Sequence, residues 1–226
     1  MKQVLLHFLK GILAGLAIGL GGFLYIIMTF ALHGEYAELG KILGSILFSV
    51  GLFLVCTFSL SLYTGKIGLI YEGKKDKVFY ISLPVMLIGN AIGAFALGYI
   101  CWAIFRNTNV IHYAEAAANS RLALNNFMDY LTTSIKSFLC GLCVYLAVKA
   151  FSLNRLKPLG IGLLVFFVFV FVYCGFQHCI ANMFYFGMAN AMEWNTLFNL
   201  LIVILFNSLG PVVGVLLVKL IEKAKQ

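Results

Sequence analysis

Charged residues are scarce in this 226-residue sequence: Asp, Glu, Lys and Arg together make up 11% of it, and acidic residues number only 8. Long polar segments are also missing, which leaves no room for a soluble catalytic domain. Hydrophobic residues account for 62% of the chain, and the mean hydropathy is +1.00. Because soluble globular domains lie far from these values, the sequence predicts a single integral membrane domain over residues 1–226, and no enzyme.

Alternation of apolar and polar residues, which marks the strands of a transmembrane barrel over segments of about ten residues, is absent as well. The apolar runs are continuous, and a helix needs roughly 20 such residues to cross a bilayer core of about 30 Å. The sequence therefore predicts an all-α membrane protein with six transmembrane helices. The predicted spans are Gly11–Leu32, Leu39–Ile70, Val78–Phe105, Phe127–Leu153, Leu159–Met188 and Thr196–Val218.

The few charges are distributed unevenly between the loops. The net charge is +8. Most of the basic residues fall on one predicted side of the membrane, which is typical of the positive-inside bias. It predicts cytoplasmic N- and C-termini in the plasma (inner) membrane, and it explains the basic charge without a nucleic-acid partner. The first residues are interpreted as an amphipathic lead-in that is retained, not as a cleaved signal peptide. The predicted cytoplasmic residues are Lys2, Lys10, Lys74, Lys75, Lys77, Arg155, Lys157, Lys219, Lys223 and Lys225, and the predicted outer ones are Lys41, Arg106 and Arg121.

Two of the six spans are interrupted by polar residues at mid-depth. The second contains CTFSLSLYTGKIG (Cys56–Gly68), and the fifth contains YCGFQHCIANMF (Tyr173–Phe184). Each is the second span of a three-span half, and three spans invert the orientation, so the halves (approximately residues 1–105 and 120–226) form an inverted repeat. Paired broken helices in such a repeat indicate a substrate site near the bilayer midplane. The pattern predicts a channel or transporter in which the two breaks meet.

Other classes of membrane protein remain open at this point. A redox enzyme with bis-imidazole haem would need a second deep histidine, but only His178 lies deep, while His7, His33 and His112 fall near span ends. We predict no metal and no cofactor. An aquaporin-like channel for neutral solutes would fit the two breaks, although the sequence has no paired Asn-Pro-Ala motifs. A structural protein with a sealed pore is the remaining alternative.

Four segments resemble the formate/nitrite transporter family. GFQHCIANMF (Gly175–Phe184) is similar to the family pattern G-F-E-H-S-[VI]-A-N-M-F of the broken fifth span. FSVGLFLVCTFSLSLYTG (Phe48–Gly65) is similar to the family segment F-S-x-G-L-x-L…G-A-[DE]-L-F-T. IGNAIGAF in the third span and CVYLAVK (Cys143–Lys149) in the fourth are further matches. The order and spacing of these segments hold over most of the chain.

The resemblance implies a fold, an assembly and a cargo. It implies six helices in an aquaporin-like arrangement, a homopentamer in the lipid bilayer, and one pore per protomer. The implied cargo is a small monovalent anion of a weak acid, such as formate, nitrite, hydrosulfide or a short carboxylate, carried with protons. By position, His178 would be the pore histidine, Phe48, Leu52, Leu62 and Phe171 the apolar constrictions, and Thr64, Gln177 and Asn182 residues of the broken-helix loops.

Several positions depart from the family pattern. Gln177 stands where the family has an acidic residue before the histidine, and Ser61 replaces the acidic residue of the second-span loop. The family's vestibule lysine aligns with Asn125, and Arg121, one helical turn earlier, is the alternative. The family's fourth-span asparagine aligns with Gly141, and its sixth-span Gly-Asn aligns with Gly214-Val215, although Gly89-Asn90 keeps the counterpart in the third span.

A histidine between apolar constrictions has a chemical rationale. Moving a bare carboxylate into a low-dielectric constriction costs on the order of 20 kcal/mol by an idealised Born figure, whereas the neutral acid avoids most of that penalty. An imidazole, with an ordinary pKa of about 6.5, could donate the proton there. Alternatively, a neutral imidazole donates a hydrogen bond to the anion and the proton comes from bulk water. The sequence leaves both routes open.

Overall fold

The computed structural model describes residues 2–73, 76–153 and 157–223, and within these ranges every regular element is helical. Lys74, Lys75, Arg155 and Lys225, four of the residues used to predict orientation, lie outside the described residues. The helices are α1 (Lys2–Ala31), α2 (Ala37–Thr57), α3 (Tyr63–Lys66), α4 (Leu69–Glu72), α5 (Lys77–Phe105), α6 (Val110–Leu122), α7 (Phe127–Leu153), α8 (Pro158–Tyr173), α9 (Cys179–Met188), α10 (Trp194–Leu209) and α11 (Pro211–Lys223), with a 3-10 turn at Gly34–Tyr36.

Five helical segments are long and apolar enough to cross a membrane, and the remaining predicted span is divided between the shorter helices α8 and α9. Together these segments correspond to the six predicted spans. α1 begins at Lys2 and not at the predicted Gly11, because the amphipathic lead-in continues the same helix. The last span is divided into α10 and α11 before Pro211, which has no N–H to donate within a helix. The five long segments are Lys2–Ala31, Gly34–Thr57, Lys77–Phe105, Phe127–Leu153 and Trp194–Ile221.

The two predicted breaks have the same backbone geometry. α2 ends at Thr57 and α8 ends at Tyr173, and each is followed by a turn and then by a half-helix, α3 or α9. In each turn the residue two positions past the helix is left-handed, Ser59 with φ of 51° and Gly175 with φ of 67°. The turns are closed by equivalent backbone hydrogen bonds, from Leu60 N to Val55 O at 2.9 Å and from Phe176 N to Phe171 O at 2.8 Å. The turn and its closing hydrogen bond are therefore repeated in the two halves, although α3 is shorter than α9.

A buried asparagine holds each half-helix in place, and both asparagines are 0% exposed. Asn90 comes from α5 and Asn207 from α10, the last spans of the two halves. In each case Oδ1 accepts a hydrogen bond from the first N–H of the half-helix, and Nδ2 donates to two carbonyls. Asn90 bonds Tyr63 N (2.8 Å), Gly11 O (2.8 Å) and Ser61 O (2.9 Å); Asn207 bonds Cys179 N (2.9 Å), Ser137 O (2.7 Å) and Gln177 O (2.8 Å). In the structure, therefore, Asn207 is the counterpart of Asn90 in the sixth span, and the sequence-based alignment of that position with Val215 was wrong.

Close helix contacts bring these asparagines within reach of their partners. α1 packs against α5 in the first half, and α7 packs against α10 in the second. A Cβ on Gly93 would lie 2.1 Å from Ile12 O, and a Cβ on Gly210 would lie 2.2 Å from Phe138 O. Each glycine follows its asparagine by three residues, so Asn-x-x-Gly combines the polar anchor with the close approach of the backbones.

Candidate pore and vestibules

Two cavities open toward opposite ends of the helices and lead toward the paired breaks. The first, which we call the Arg121 vestibule, has a volume of about 450 Å³ and is lined by residues from the N-terminal half of α2 and of α7, among them Lys41 and Lys136. The second, the Lys66 vestibule, has a volume of about 240 Å³ and is lined from the C-terminal ends of the same two helices, by Cys56 and Ser152 among others. Aqueous access from both sides thus ends near the loops between the half-helices.

The four predicted constriction residues are all buried. Phe48 and Phe171 line the Arg121 vestibule, and their rings meet edge to face with centroids 5.7 Å apart. Leu62 lines the Lys66 vestibule, whereas Leu52 lines neither cavity. The four side chains are 1%, 3%, 1% and 2% exposed, in the order Phe48, Phe171, Leu62 and Leu52. Their role as the constrictions of a pore stays a prediction, and we refer to these four side chains as the apolar layer.

His178 sits at the inner end of the Arg121 vestibule, and both of its ring nitrogens are engaged. Its Nδ1 accepts a hydrogen bond from Ala181 N at 3.2 Å, so the side chain caps the start of α9. Its Nε2 lies 2.8 Å from Thr64 Oγ1 on the opposite half-helix. Because a backbone N–H can only donate, Nδ1 must be unprotonated, and the neutral ring carries its proton on Nε2, directed at Thr64. The ring also stacks on Phe171, with centroids 6.0 Å apart.

A network of buried amides lies beside the histidine, and it does not include the imidazole. Gln177 Oε1 accepts hydrogen bonds from Asn182 Nδ2 (3.0 Å) and Asn199 Nδ2 (2.9 Å), and its Nε2 donates to Thr133 Oγ1 (3.3 Å). Asn182 Nδ2 also donates to Asn199 Oδ1 at 2.9 Å. These side chains are at most 5% exposed. The polar groups satisfy one another, as buried groups must, and none of them carries a charge.

The network ends on Arg121, which brings a positive charge to the vestibule. Asn182 Oδ1 accepts from Arg121 Nε at 2.8 Å, and Arg121 Nη1 donates to Ala117 O. The guanidinium lies over the Tyr185 ring, 4.4 Å from its centroid. Burial lowers the pKa of Arg121, but arginine starts so high that it remains charged at neutral pH. Among the described residues that line this vestibule, none is acidic, while Lys41 and Lys136 are further cations.

Of the three residues predicted to lie in the broken-helix loops, Gln177 lies in the loop before α9, whereas Thr64 lies in α3 and Asn182 in α9. Thr64 contacts His178, whereas Gln177 and Asn182 contact each other and Arg121. Asn125 is absent from the described lining of the vestibule, which includes Arg121. Ser61, the other lost acid, lies with Oγ 2.9 Å from His7 Nδ1 at the start of α1.

Sequence analysis missed Asn199, Asn207 and Thr133 as members of the site. The two asparagines stand in LFNLLIVILFNS, an otherwise apolar run of the last span. Polar side chains in such a run face the protein interior and pair with other groups. That signal would have identified both as interior residues, but not their partners.

Paired broken helices, an inverted repeat, two vestibules and a polar centre define a membrane channel or transporter. Residues 2–221 match the model of the formate/nitrite transporter family. A relative in Bacillus subtilis (strain 168), the uncharacterized transporter YrhG, is 32% identical over 77% of this chain and 67% of its own length. The formate channel FocA of Haemophilus influenzae is 24% identical over 81% of this chain and 66% of its own length. The chain belongs to the formate/nitrite transporter family.

Solved structures agree with this assignment. A pentameric formate channel with formate bound superimposes with a TM-score of 0.83 at 26% identity, and the match covers 99% of this chain and 98% of that one. An ion channel of the same family matches in fold, with a TM-score of 0.75 at 19% identity over 92% and 86% of the two chains. The predictions of family, of an all-helical membrane fold with paired breaks, and of a transport protein instead of an enzyme are confirmed.

Proposed function

We propose that this protein is a channel for small monovalent anions of weak acids, such as formate, nitrite, hydrosulfide or short carboxylates, and that it carries them with protons. The observation that carries the proposal is the contact of His178 Nε2 with Thr64 Oγ1 at 2.8 Å, at the inner end of a cationic vestibule and beside the Phe48–Phe171 pair. The formate channels among its relatives support the choice of cargo. The pentameric relative supports a homopentamer with one pore per protomer.

The cations of the Arg121 vestibule would attract an anion, and the apolar layer would then select its protonated form. A charged species loses its hydration at Phe48 and Phe171, whereas the neutral acid loses far less. His178 can donate the hydrogen bond of Nε2–H to an oxygen of the passing solute in place of Thr64. Because its Nδ1 is the acceptor that caps α9, we assign the histidine the role of hydrogen-bond donor and take the transported proton from water in the vestibule.

Orientation is part of the proposal. Lys41 and Arg121 line one vestibule, while Lys10 Nζ lies 3.4 Å from Ser59 O in the loop that lines the other. Lys41 and Arg121 are two of the three outer cations of the positive-inside prediction, and Lys10 is one of the inner ones. We therefore assign the Arg121 vestibule to the outside, with cytoplasmic termini in the plasma (inner) membrane.

The proton source can be tested with proteoliposomes and two weak acids of different pKa, for example formate and acetate. If protons come from bulk water, flux should rise as pH falls, along a curve that shifts with the pKa of the acid. If His178 supplied the proton, both acids would show the same pH midpoint. A flux independent of pH for both acids would refute proton linkage altogether.

Variants of the site separate its roles. His178→Phe removes both the helix cap and the donor, and should abolish anion flux while the oligomer still forms. His178→Asn keeps an N-cap acceptor but shortens the donor, so it should keep the melting temperature closer to the parent and still lower the flux. Unchanged flux in His178→Phe would show that the histidine is structural. Measuring the flux of glycerol and water in the same proteoliposomes tests the alternative of a channel for neutral solutes. The three cations of the Arg121 vestibule argue against that alternative.

A further inference from the structure

The Arg121 vestibule is lined by more cations than the Lys66 vestibule. Three cationic residues, Lys41, Lys136 and Arg121, line one cavity of about 450 Å³, and its described lining contains no carboxylate. A cleft lined by charges of one sign raises the local concentration of counter-ions. The Lys66 vestibule differs, because Lys66 is the one cation in its described lining. The two ends of the pore are therefore electrostatically unequal.

The guanidinium of Arg121 is also left with free donors. Nε and Nη1 are taken by Asn182 and Ala117, but no acceptor contacts Nη2 in the described part of the chain. The groups that position the guanidinium, Asn182 Oδ1, Ala117 O and the Tyr185 ring, are all uncharged. Since the tether is uncharged, it orients the arginine without cancelling its charge. An oxyanion in the cavity would be attracted by the positive charge and could accept hydrogen bonds from the free N–H groups of Arg121.

The charge of the anion then has opposite effects on binding and on passage. Coulomb attraction to the three cations is proportional to the charge of the anion, so this part of the binding free energy is twice as large for a divalent oxyanion as for a monovalent one. To cross the apolar layer as a neutral species, however, it must gain two protons, and sulfate gains none near neutral pH. A divalent oxyanion should therefore enter this cavity and go no further.

We propose that the Arg121 vestibule is an inhibitory binding site for divalent oxyanions, which occupy it in competition with the permeant monovalent anion and block the pore. The inhibition in this proposal rests on the proposed function, because it requires transport of the monovalent anion. Binding of the divalent anion can be measured without any transport. The site is formed by Arg121, Lys136 and Lys41 together, above the closed Phe48–Phe171 layer.

The experiment measures formate flux into proteoliposomes at fixed pH and fixed ionic strength, with sodium sulfate replacing sodium chloride on both sides. Constant ionic strength is needed because screening alone weakens charge interactions. Sulfate should inhibit competitively, raising the apparent KM for formate and leaving the maximal flux unchanged. Lys136→Gln removes one vestibule cation without disturbing the amide network, Arg121→Gln removes the central one, and Lys66→Gln is the matched control in the other vestibule.

The two anions give a quantitative relation. If Lys136→Gln raises the KM for formate about threefold, the inhibition constant of sulfate should rise about ninefold, because the lost Coulomb energy doubles with the charge. Lys66→Gln should leave the inhibition constant of sulfate unchanged. Formate flux that is normal and insensitive to sulfate would overturn the inhibitory site while leaving the channel proposal intact. Inhibition by sulfate that is lost in Lys66→Gln and kept in Lys136→Gln would also overturn the inhibitory site.

A second measurement covers the case in which no flux is seen. Thermal unfolding of the detergent-solubilised protein is followed with sulfate and with chloride at equal ionic strength, since a ligand that binds only the folded state raises its stability. Stabilisation by sulfate that Lys136→Gln removes would support the binding site even though transport had failed. Equal stabilisation by both salts would refute the site.

Discussion

Replacement of Asn207 by alanine should destabilise the protein severely, because three buried backbone groups depend on this side chain. Its Oδ1 accepts from Cys179 N, and its Nδ2 donates to Ser137 O and Gln177 O, at 2.7 to 2.9 Å. Asn207 is 0% exposed, so the described surroundings offer no direct route for bulk water to replace the amide. Each buried group left unpaired costs about 1–3 kcal/mol, and the three together cost at least about 3 kcal/mol.

The loss can be read as a shift in apparent melting temperature of the detergent-solubilised protein. Chains of this length change by roughly 2–4 °C per kcal/mol, so a loss of 3 kcal/mol corresponds to a fall of about 6–12 °C. Asn195→Ala is the matched control, because Asn195 Nδ2 donates one hydrogen bond, to Leu122 O at the longer distance of 3.3 Å, and the site is only partly buried. The control should shift the transition by no more than about 2–4 °C.

The inverted repeat supplies an independent check. Asn90→Ala strands the equivalent three groups, namely Tyr63 N, Gly11 O and Ser61 O, and should give a similar fall. Because the two asparagines serve different half-helices, the double variant should be close to additive. If Asn207→Ala unfolds within the range of Asn195→Ala, the assignment of Asn207 as the anchor of α9 is wrong.

Two further predictions concern the broken helices. Gly175 and Gly162 both have open space where a Cβ would lie, but Gly175 has φ of 67° and Gly162 is within α8. Gly175→Ala should therefore lower stability by about 1 kcal/mol, whereas Gly162→Ala should raise it by about 0.5–1 kcal/mol. Shifts of the melting temperature with the same sign in both variants would contradict the turn geometry. Cys174 is exposed in the Arg121 vestibule, whereas Cys140 and Cys179 are 0% exposed. A membrane-impermeant thiol reagent added outside intact cells should therefore label Cys174 first. Labelling of Cys174 only after lysis would contradict the proposed orientation.

The sequence was informative where a local property decides the structure. Polar residues in YCGFQHCIANMF and CTFSLSLYTGKIG located both breaks, because an apolar helix has no local reason to contain them and lipid cannot satisfy them. The left-handed residue of the second break is a glycine, the residue best suited to that conformation. In the first break the same position is Ser59, and no local signal marks it.

Long-range pairings could not be predicted in the same way. That Asn207 reaches Ser137 and Gln177 depends on how closely α10 approaches α7, and Gly210 permits this by its contact with Phe138 O. The family's Gly-Asn pair aligns by position with Gly214-Val215, whereas the geometry that the two halves share is Asn-x-x-Gly. The partners of Gln177 were also unforeseen, since an acid-to-amide change alters which groups can donate to it, and Asn199 is far away in sequence.

The symmetry of the scaffold makes its differences interpretable. Leu62 and His178 occupy the same place in the two halves: each is the residue before a half-helix, and each has an extended backbone. Only the histidine can cap its helix and present a hydrogen-bond donor, so the two positions differ in chemistry although their backbone conformation is alike. The neighbouring pair Ser61 and Gln177 differs in the same sense, because Gln177 leads through amides to Arg121 and Ser61 leads to His7. Because the turn and the extended residue before each half-helix are alike in the two halves, exchanging these side chains tests their chemistry without changing the geometry of the turn.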